Sequence, residues 1–509
     1  MNLKRALAGL ASIMVVLSPM NIYADESTIV AQNIDGSITY TDYSSAWSAA
    51  KSGTPIIMLQ DWMVNERLIV GEGENVTVYM NSHSISRDLS ESAKNGEVIY
   101  LEDNGTLSLT GGNDRTVKVK DYKSDENGSI KCDITSGGFI TGGMNTNNGG
   151  GILMDGGCTL NLDHVAIAGN YARRGGGILI SDDPSTVNMS NGSMISYNSA
   201  TYAGGGIQAV DKDANIILSA SEISNNKADA GGGIYSESDG CYVTLNDSSK
   251  ISENYATGKG GAICFESTYN AVCSNDSTGV ISDNYGGKYA GAIYFAENGT
   301  DRDDVASAQN ITFENNSTDA KGGAIYGGID DLQITNCTFT SNSANQGGAL
   351  YAQGDDIILE NTTMEKNTVT DNGGAVYVHS SSDVKLKGSL EITKNKLSDS
   401  STENDIFLEK TWFVRAYVLG TPDGESQVGV LGEGSCTVAK KQTSDNKTIY
   451  CTDSNYYLEY DDGTLEQKSS STSSVFGQGN TFIACVIMGS IAIIGGVILM
   501  VGKKSKTIE

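Results

Sequence analysis

The sequence predicts an all-β chain: a right-handed parallel β-helix (solenoid) with a short N-terminal cap, a small C-terminal β domain and one C-terminal transmembrane helix. Three observations predict it. A unit opening Gly-Gly-(Ala/Gly)-(Ile/Leu/Val) returns every 25 to 32 residues through the middle of the chain. Within each unit, hydrophobic residues recur at a spacing of two, the period of one face of a strand. An asparagine then stands three residues after the last hydrophobic position of every unit.

The first strand of each unit starts at Ile152, Ile178, Ile207, Ile234, Ile263, Ile293, Ile325, Leu350 or Val376. A second strand follows a polar turn, with inward pairs such as Leu160 and Leu162, Val187 and Met189, Ile216 and Leu218, and Ile357 and Leu359. A third hydrophobic position falls at Ile167, Ile195, Ile223, Ile251, Ile281, Phe313, Phe339, Met364 and Ile392. The pattern predicts three strands and three bends per unit. One such unit cannot bury its own inner face, so units must stack, and like strands then pair in parallel. A leucine-rich repeat lacks its dense Leu-x-x-Leu-x-Leu pattern here, and helical repeats are excluded by glycines in the middle of each unit.

The recurring asparagines are Asn170, Asn198, Asn226, Asn254, Asn284, Asn316, Asn342, Asn367 and Asn395. Asparagine tolerates a left-handed bend between strands, and stacked amides hydrogen-bond from one turn to the next. A ladder of amides supplies no acid, base or nucleophile, so its expected role is structural.

At the N-terminus, Lys4 and Arg5, an apolar run and Ala24 before Asp25 read as a secretory signal, residues 1–24. Residues 25–130 read as a cap with the first turns: Tyr43 to Gly53 has an amphipathic helical pattern around Trp47 that would cover the open end of the stack. The repeats occupy 131–408 and a small β cap or stalk domain 409–467. Residues 468–480 are a Ser/Thr-rich linker, 481–502 a transmembrane helix and 503–509 a cytoplasmic tail. No charge lies between Phe482 and Val501, and Lys503, Lys504 and Lys506 follow. About twenty residues at the helical rise span a hydrocarbon core of roughly 30 Å, and the flanking lysines put the tail inside. The expected location is therefore the cell membrane, single-pass, with an extracellular ectodomain. No Leu-Pro-x-Thr-Gly motif for covalent wall attachment is present.

With 61 glycines, four prolines and 7% aromatic residues, the chain is built of many turns. A net charge of -28 argues against nucleic acid or anionic lipid as a partner, since either would be repelled. Among nine cysteines, Cys436 and Cys451 are the expected disulfide. No pairing follows for Cys132, Cys158, Cys241, Cys264, Cys273 and Cys337, and buried free thiols are the alternative.

Gly-Gly-Ala-Ile coupled to Phe-x-x-Asn resembles the repeats of the chlamydial polymorphic outer membrane proteins. Phe313 to Asn316 with Gly322 to Ile325, and Phe339 to Asn342 with Gly347 to Leu350, carry the resemblance, which extends from about Phe139 to Asn395 with Ile or Met in place of Phe. It implies a β-helical passenger with a role in adhesion. That family ends in a β-barrel, whereas this chain is expected to end in one helix, which implies a different route of secretion. The flanks are similar to those of β-helix repeat proteins secreted by Gram-positive bacteria.

Parallel β-helices also carry polysaccharide lyases and glycoside hydrolases, which need carboxylate clusters on the outer face. The outward column between the inward residues of the first strands reads Leu153, Leu179, Gln208, Tyr235, Cys264, Tyr294, Tyr326, Tyr351 and Tyr377, with no carboxylate. Arg173 and Arg174 lie in a bend without an obvious acidic partner, and His83, His164 and His379 sit in separate regions. No catalytic residue, metal site or cofactor is expected. Tyr294, Tyr326, Tyr351 and Tyr377 are expected to form an exposed aromatic stripe that stacks on sugar rings or buries against a protein, with a self-stabilising ladder as the alternative. Asp182, Asp183, Asp211, Asp213, Asp239, Asp330, Asp331, Asp355, Asp356 and Asp383 form an acidic column that reads as solvated turns, with calcium binding as the competing reading. The expected function is an adhesin-like rod presenting a face to a surface carbohydrate or a host or neighbouring-cell protein. A carbohydrate-active enzyme and a structural spacer are the alternatives.

Overall fold

The computed structural model describes residues 28–470 except 88, 90, 113–118, 125–129, 135–137, 212, 297–304, 400, 411–416, 420–425, 433–435, 441–447 and 462–463. Among them the chain is a right-handed parallel β-solenoid of about eleven turns with one short helix. The expected leader and membrane span lie outside the described residues. Within those residues no helix is long and apolar enough to cross a membrane.

The first-strand column runs through twelve rungs, from Leu68–Val70 by Ile99–Leu101 and Ile152–Asp155 to Ile406–Leu408, all parallel and in register. Ile152, Ile178, Ile207, Ile234, Ile263, Ile293, Ile325, Leu350 and Val376 stack one above another with no exposure. Second strands form their own parallel column, in which Leu160 lies beside Val187, Ile216 and Val243. The third column aligns Ile167, Ile195, Ile223, Ile251, Ile281, Phe313, Phe339, Met364 and Ile392. Each inward position meets its counterpart one rung away, so like side chains interdigitate along the axis. Phe313 and Phe339 stack at 4.6 Å between centroids, and Phe265 and Phe295 at 5.4 Å.

The turn has four strands, not three. After each ladder asparagine a further strand forms, from Tyr171–Arg174 to Lys396–Leu397, and nine of these make a separate parallel sheet. Its inward residue is small in most turns: Ala172, Ala200, Ala228, Ala256, Gly286, Thr318 and Ala344. From there the glycines reverse the chain into the next first strand. At Gly260 the backbone is left-handed (φ 62°) and a Cβ would lie 2.2 Å from the carbonyl oxygen of Ile263. The next glycine, Gly261, packs against the following rung, where a Cβ would meet Gly291 O at 2.3 Å. Glycine suits both constraints, and in the next rung Ala290, with φ 53°, takes the first position while Gly291 keeps the second.

The asparagine ladder is continuous. In Asn254, Nδ2 donates to Asn284 Oδ1 (3.1 Å) and to the carbonyl of Ile223 (2.9 Å), while Oδ1 accepts from the backbone N–H (3.0 Å) and Nδ2 (3.0 Å) of Asn226. The same amide-to-amide bond links Asn170 through Asn395 in sequence. The left-handed bend falls one residue before the position the sequence suggests. Gly169, Tyr197, Asn225, Glu253, Asp283, Asn315, Ser341, Lys366 and Lys394 have φ between 54° and 68°, each just ahead of a ladder asparagine. Residues such as Tyr, Glu and Lys resist this conformation by about 1–2 kcal/mol. The four buried hydrogen bonds of the following amide offset that strain.

The ladder ends on a carboxylate. Asp405 Oδ1 accepts from Asn395 N (3.0 Å) and Nδ2 (2.7 Å), and Oδ2 accepts from Tyr450 Oη (3.2 Å). Asp405 is fully buried. Burial raises its pKa to about 7 from an ordinary 3.8, against the lowering effect of the Asn395 bonds, and Glu403 adds a further rise. Parallel stacking continues beyond it through Gln427–Gly432 and Ile449–Cys451 before an antiparallel hairpin of Tyr456–Asp461 and Thr464–Ser469. That last strand contains Lys468 and Ser469, so the expected linker at 468–480 begins inside a strand.

At the opposite end helix α1, Tyr43–Lys51, starts at the N-cap Asp42, whose carboxylate accepts from Ser45 N (2.8 Å). Its buried face, Ala46, Trp47 and Ala50, lies over the first turns, and Trp47 Nε1 donates to Ile69 O (3.1 Å). The helix covers the apolar stack as expected.

Asn254→Ala removes four buried hydrogen bonds and orphans their partners. It should lower unfolding stability by about 3–5 kcal/mol in chemical denaturation and raise amide exchange in the turns around residues 226 and 284. Because the folded pKa of Asp405 lies above the unfolded one, its stabilising contribution is fully present below about pH 4 and lost as pH rises through about 7. Asp405→Asn, which extends the amide ladder by one member, should raise the melting temperature at pH 8 and flatten its dependence between pH 5 and 8.

Candidate functional site

The outward column of the first strands is not an exposed stripe. Tyr294, Tyr326, Tyr351 and Tyr377 retain 6, 3, 1 and 5% of their surface. Their rings stack in sequence at centroid distances of 5.0, 5.4 and 5.1 Å, and Phe407 continues the column at 5.4 Å. The fourth strand and the glycine bend fold back over this side, so Ala203, Ala290 and Tyr289 belong to the same cluster. Lys259 Nζ lies 4.6 Å from the Tyr294 ring centre and Lys321 Nζ 4.3 Å from that of Tyr351. The hydroxyls are used within the protein: Tyr326 donates to Gln353 Oε1 (2.7 Å), Tyr377 donates to Glu409 Oε1 (3.0 Å), and Tyr351 accepts from Lys321 Nζ (2.9 Å). Burial pushes the Tyr294 phenol up to about 12 and that of Tyr377 higher still. The four tyrosines form a second core outside the main one, and their faces are not open to a ligand.

Two members of this column differ in chemistry. Gln208 is fully buried, and neither Oε1 nor Nε2 has a hydrogen-bond partner. Cys264 is buried beside Glu266, its Sγ 3.5 Å from Oε1, and burial holds its thiol well above the ordinary value. Cys158, Cys241 and Cys337 are likewise buried free thiols, the latter two pushed up to about 12 by burial. Such thiols are unreactive at neutral pH. Cys485 and the side chains of Cys132 and Cys436 lie outside what the structure describes, and with them the expected Cys436–Cys451 pairing.

Exposed aromatic side chains occur on the outer face of the fourth-strand sheet, at Tyr202 and Tyr255, and outside it at Tyr242 and Tyr269. The residues after the ladder asparagines form a column of Tyr171, Ser199, Lys227, Tyr255, Tyr285, Ser317, Ser343 and Thr368 in register, of which Ser199 is buried and Lys227 and Tyr255 are exposed. Tyr255 is 41% exposed and stacks on Tyr285 at 5.1 Å with 18° between the planes. Lys227 Nζ lies 5.6 Å from the Tyr255 ring centre. Tyr285 Oη donates to Asp319 Oδ2 (2.7 Å) on the next rung, and this bond raises the Tyr285 pKa to about 12. Beside it Asn345 Nδ2 donates to Thr370 Oγ1 (2.7 Å). Near the start of the sheet, Arg173 and Arg174 flank exposed Tyr202, each 5.4 Å from its centre, and Arg174 also reaches Glu237 at 3.9 Å. The arginines are thus on a strand with an aromatic and an acidic neighbour. The recurring Asn-Tyr pair at 170, 254 and 284 was the sequence signal for this face.

The acidic column is only partly brought together. Asp155 and Asp182 share a hydrogen bond, which raises Asp182 to about 6, and Asp182 N donates to Asp211 Oδ2 (3.3 Å). Asp356 pairs with Lys385 (2.7 Å). Among the described residues no group of three or more His, Cys, Asp or Glu side chains is placed to hold a metal ion. His379 Nδ1 is 2.7 Å from Ser381 Oγ and Nε2 is 3.4 Å from Glu409 Oε2. This arrangement has the order of a Ser-His-acid relay. However, Ser381 Oγ also reaches Gln353 O (3.3 Å), and the Ser381 amide, which would be needed to hold an oxyanion, points at His379 Nδ1 (3.3 Å). The contacts close a local turn. His83 and His164 pair with Asp61 and Asp163, far from this turn in sequence.

Tyr351→Ala should behave as a core truncation and cost about 3–5 kcal/mol in denaturant unfolding. Gln208→Leu should stabilise the fold by about 1–2 kcal/mol, because it removes an amide whose two ends are unpartnered.

The Chlamydia polymorphic membrane protein (Chlamydia_PMP) repeat matches residues 248–266, 310–328 and 336–353. Each matched segment runs from a third strand through the ladder asparagine and glycine bend to the next first strand. No curated protein and no solved structure matches the chain. The chain is a parallel β-solenoid that carries Chlamydia polymorphic membrane protein repeats.

Proposed function

We propose that this chain is a membrane-anchored, extracellular, adhesin-like protein whose solenoid displays a binding face and performs no catalysis. The observation that carries the reading is the repeat match on an unbroken solenoid, since such repeats are of a surface adhesin and autotransporter type. The uncharged run from Phe482 to Val501 with lysines after it supports anchoring by one helix. An expected ligand is a carbohydrate or a protein on a neighbouring surface. The large negative charge suits a solvated, displayed protein.

In cells producing the full chain, external protease should remove the ectodomain without lysis, and truncation after residue 480 should move the protein into the medium. Displaying cells should adhere to glycan- or protein-coated surfaces several-fold above cells lacking the chain. Retention of the truncated chain in the membrane fraction would contradict the anchor. Release of unsaturated or reducing sugars from polyuronates would overturn the non-enzymatic reading.

A further inference from the structure

The fourth-strand sheet carries an aromatic stack that stops abruptly. Tyr255 and Tyr285 stack on adjacent rungs, and the next two outward positions in the same register are Ser317 and Ser343. Four rungs, at Ser317, Ser343, Thr368 and Lys396, about 20 Å of column, thus follow without a ring. The face of Tyr285 away from Tyr255 meets no other aromatic ring among the described residues. The Tyr285–Asp319 hydrogen bond fixes the ring at the edge of this step. Around the step stand hydroxyls and an amide, from Ser317, Ser343 and Asn345, together with the Asp319 carboxylate.

We infer that the step beyond Tyr285 is a subsite for a neutral β-linked pyranoside, whose ring takes the place of the missing aromatic member of the column. This rests on the display reading above and names its ligand class and position. A pyranose presents an apolar C–H face, which suits the face of Tyr285 that no second aromatic ring covers, and an equatorial rim of hydroxyls, which suits Asp319, Ser317, Ser343 and Asn345. Asp319 accepts from sugar hydroxyls through the lone pairs that Tyr285 leaves free. The same carboxylate, on a chain of net charge -28, disfavours uronates and other acidic sugars. The main tyrosine column cannot serve, because its faces are already covered.

The test uses the full-length chain and three probes: β-1,4-linked glucohexaose, β-1,4-linked galactohexaose and hexagalacturonate, with binding read by saturation-transfer NMR and calorimetry. A neutral hexaose should bind and hexagalacturonate should not. Tyr285→Ala should weaken binding by about tenfold. Ser317→Tyr, which supplies the missing ring from the protein itself, should weaken it at least as much while keeping or raising the melting temperature, so that lost binding cannot be ascribed to misfolding. Wild-type affinity in Ser317→Tyr, or preference for hexagalacturonate, overturns the subsite. If such a chain still mediates adhesion in display, the subsite alone has failed. If the wild-type chain neither binds a hexaose nor mediates adhesion, both readings fail.

Discussion

The structure depends on the amide ladder at the corner between the third and fourth strands. Every turn must reverse direction there, and it does so through a left-handed residue that is often not glycine. Tyr197, Glu253, Lys366 and Lys394 occupy that conformation because the following asparagine locks the corner with bonds to the rungs on both sides. The side-chain amide is suited to this role, since it donates and accepts in one plane at the spacing of stacked strands. The corner also sets the axial register of the adjoining columns. With that register fixed, each inward hydrophobic residue meets another one rung away, and the close backbone approach of Gly261 to Gly291 becomes feasible. Where the ladder ends on Asp405, an acceptor alone closes it, and the buried carboxylate carries an electrostatic cost that the amide positions do not.

The fourth strand turns this frame into a displayed surface. It folds over the outer side of the first strands and creates a second, aromatic core there. It also provides the sheet that carries Tyr202 and Tyr255 with Arg173 and Arg174. One structural element therefore covers one tyrosine column and exposes another. The chain matches the Chlamydia polymorphic membrane protein repeat through segments that include this corner and bend. The repeat motif is thus the part of the sequence that specifies the fold's most demanding geometry.

Much of the solenoid was legible in the sequence because its inward positions follow strict rules. The first and second strands show mostly apolar residues at a spacing of two and the third a single hydrophobic position, and these stack in register. The capping helix was legible from Trp47 and its apolar neighbours. The fourth strand was not, because its inward residues are Ala172, Ala200, Ala228, Ala256 and Gly286, which carry no hydrophobic alternation to read. Missing that strand led directly to the wrong surface: without its cover, Tyr294, Tyr326, Tyr351 and Tyr377 look outward-facing and exposed. The left-handed residue was placed one position late for a related reason, since asparagine is the residue that usually marks such a bend. Here its value lies in the side-chain amide and not in its backbone tolerance. In the acidic turns, Asp182 meets Asp155 through its carboxylate and Asp211 through its backbone N–H, while Asp356 pairs with Lys385.

The most direct test of this account is hydrogen exchange of the asparagine side-chain amides, followed by NMR in the folded ectodomain. The account predicts a set of nine Asn Nδ2 groups, from Asn170 to Asn395, that exchange orders of magnitude more slowly than the other asparagine side chains, because both their protons and their oxygens are bonded inside the wall. Exchange of those nine amides at the rate of solvent-exposed asparagine would contradict it.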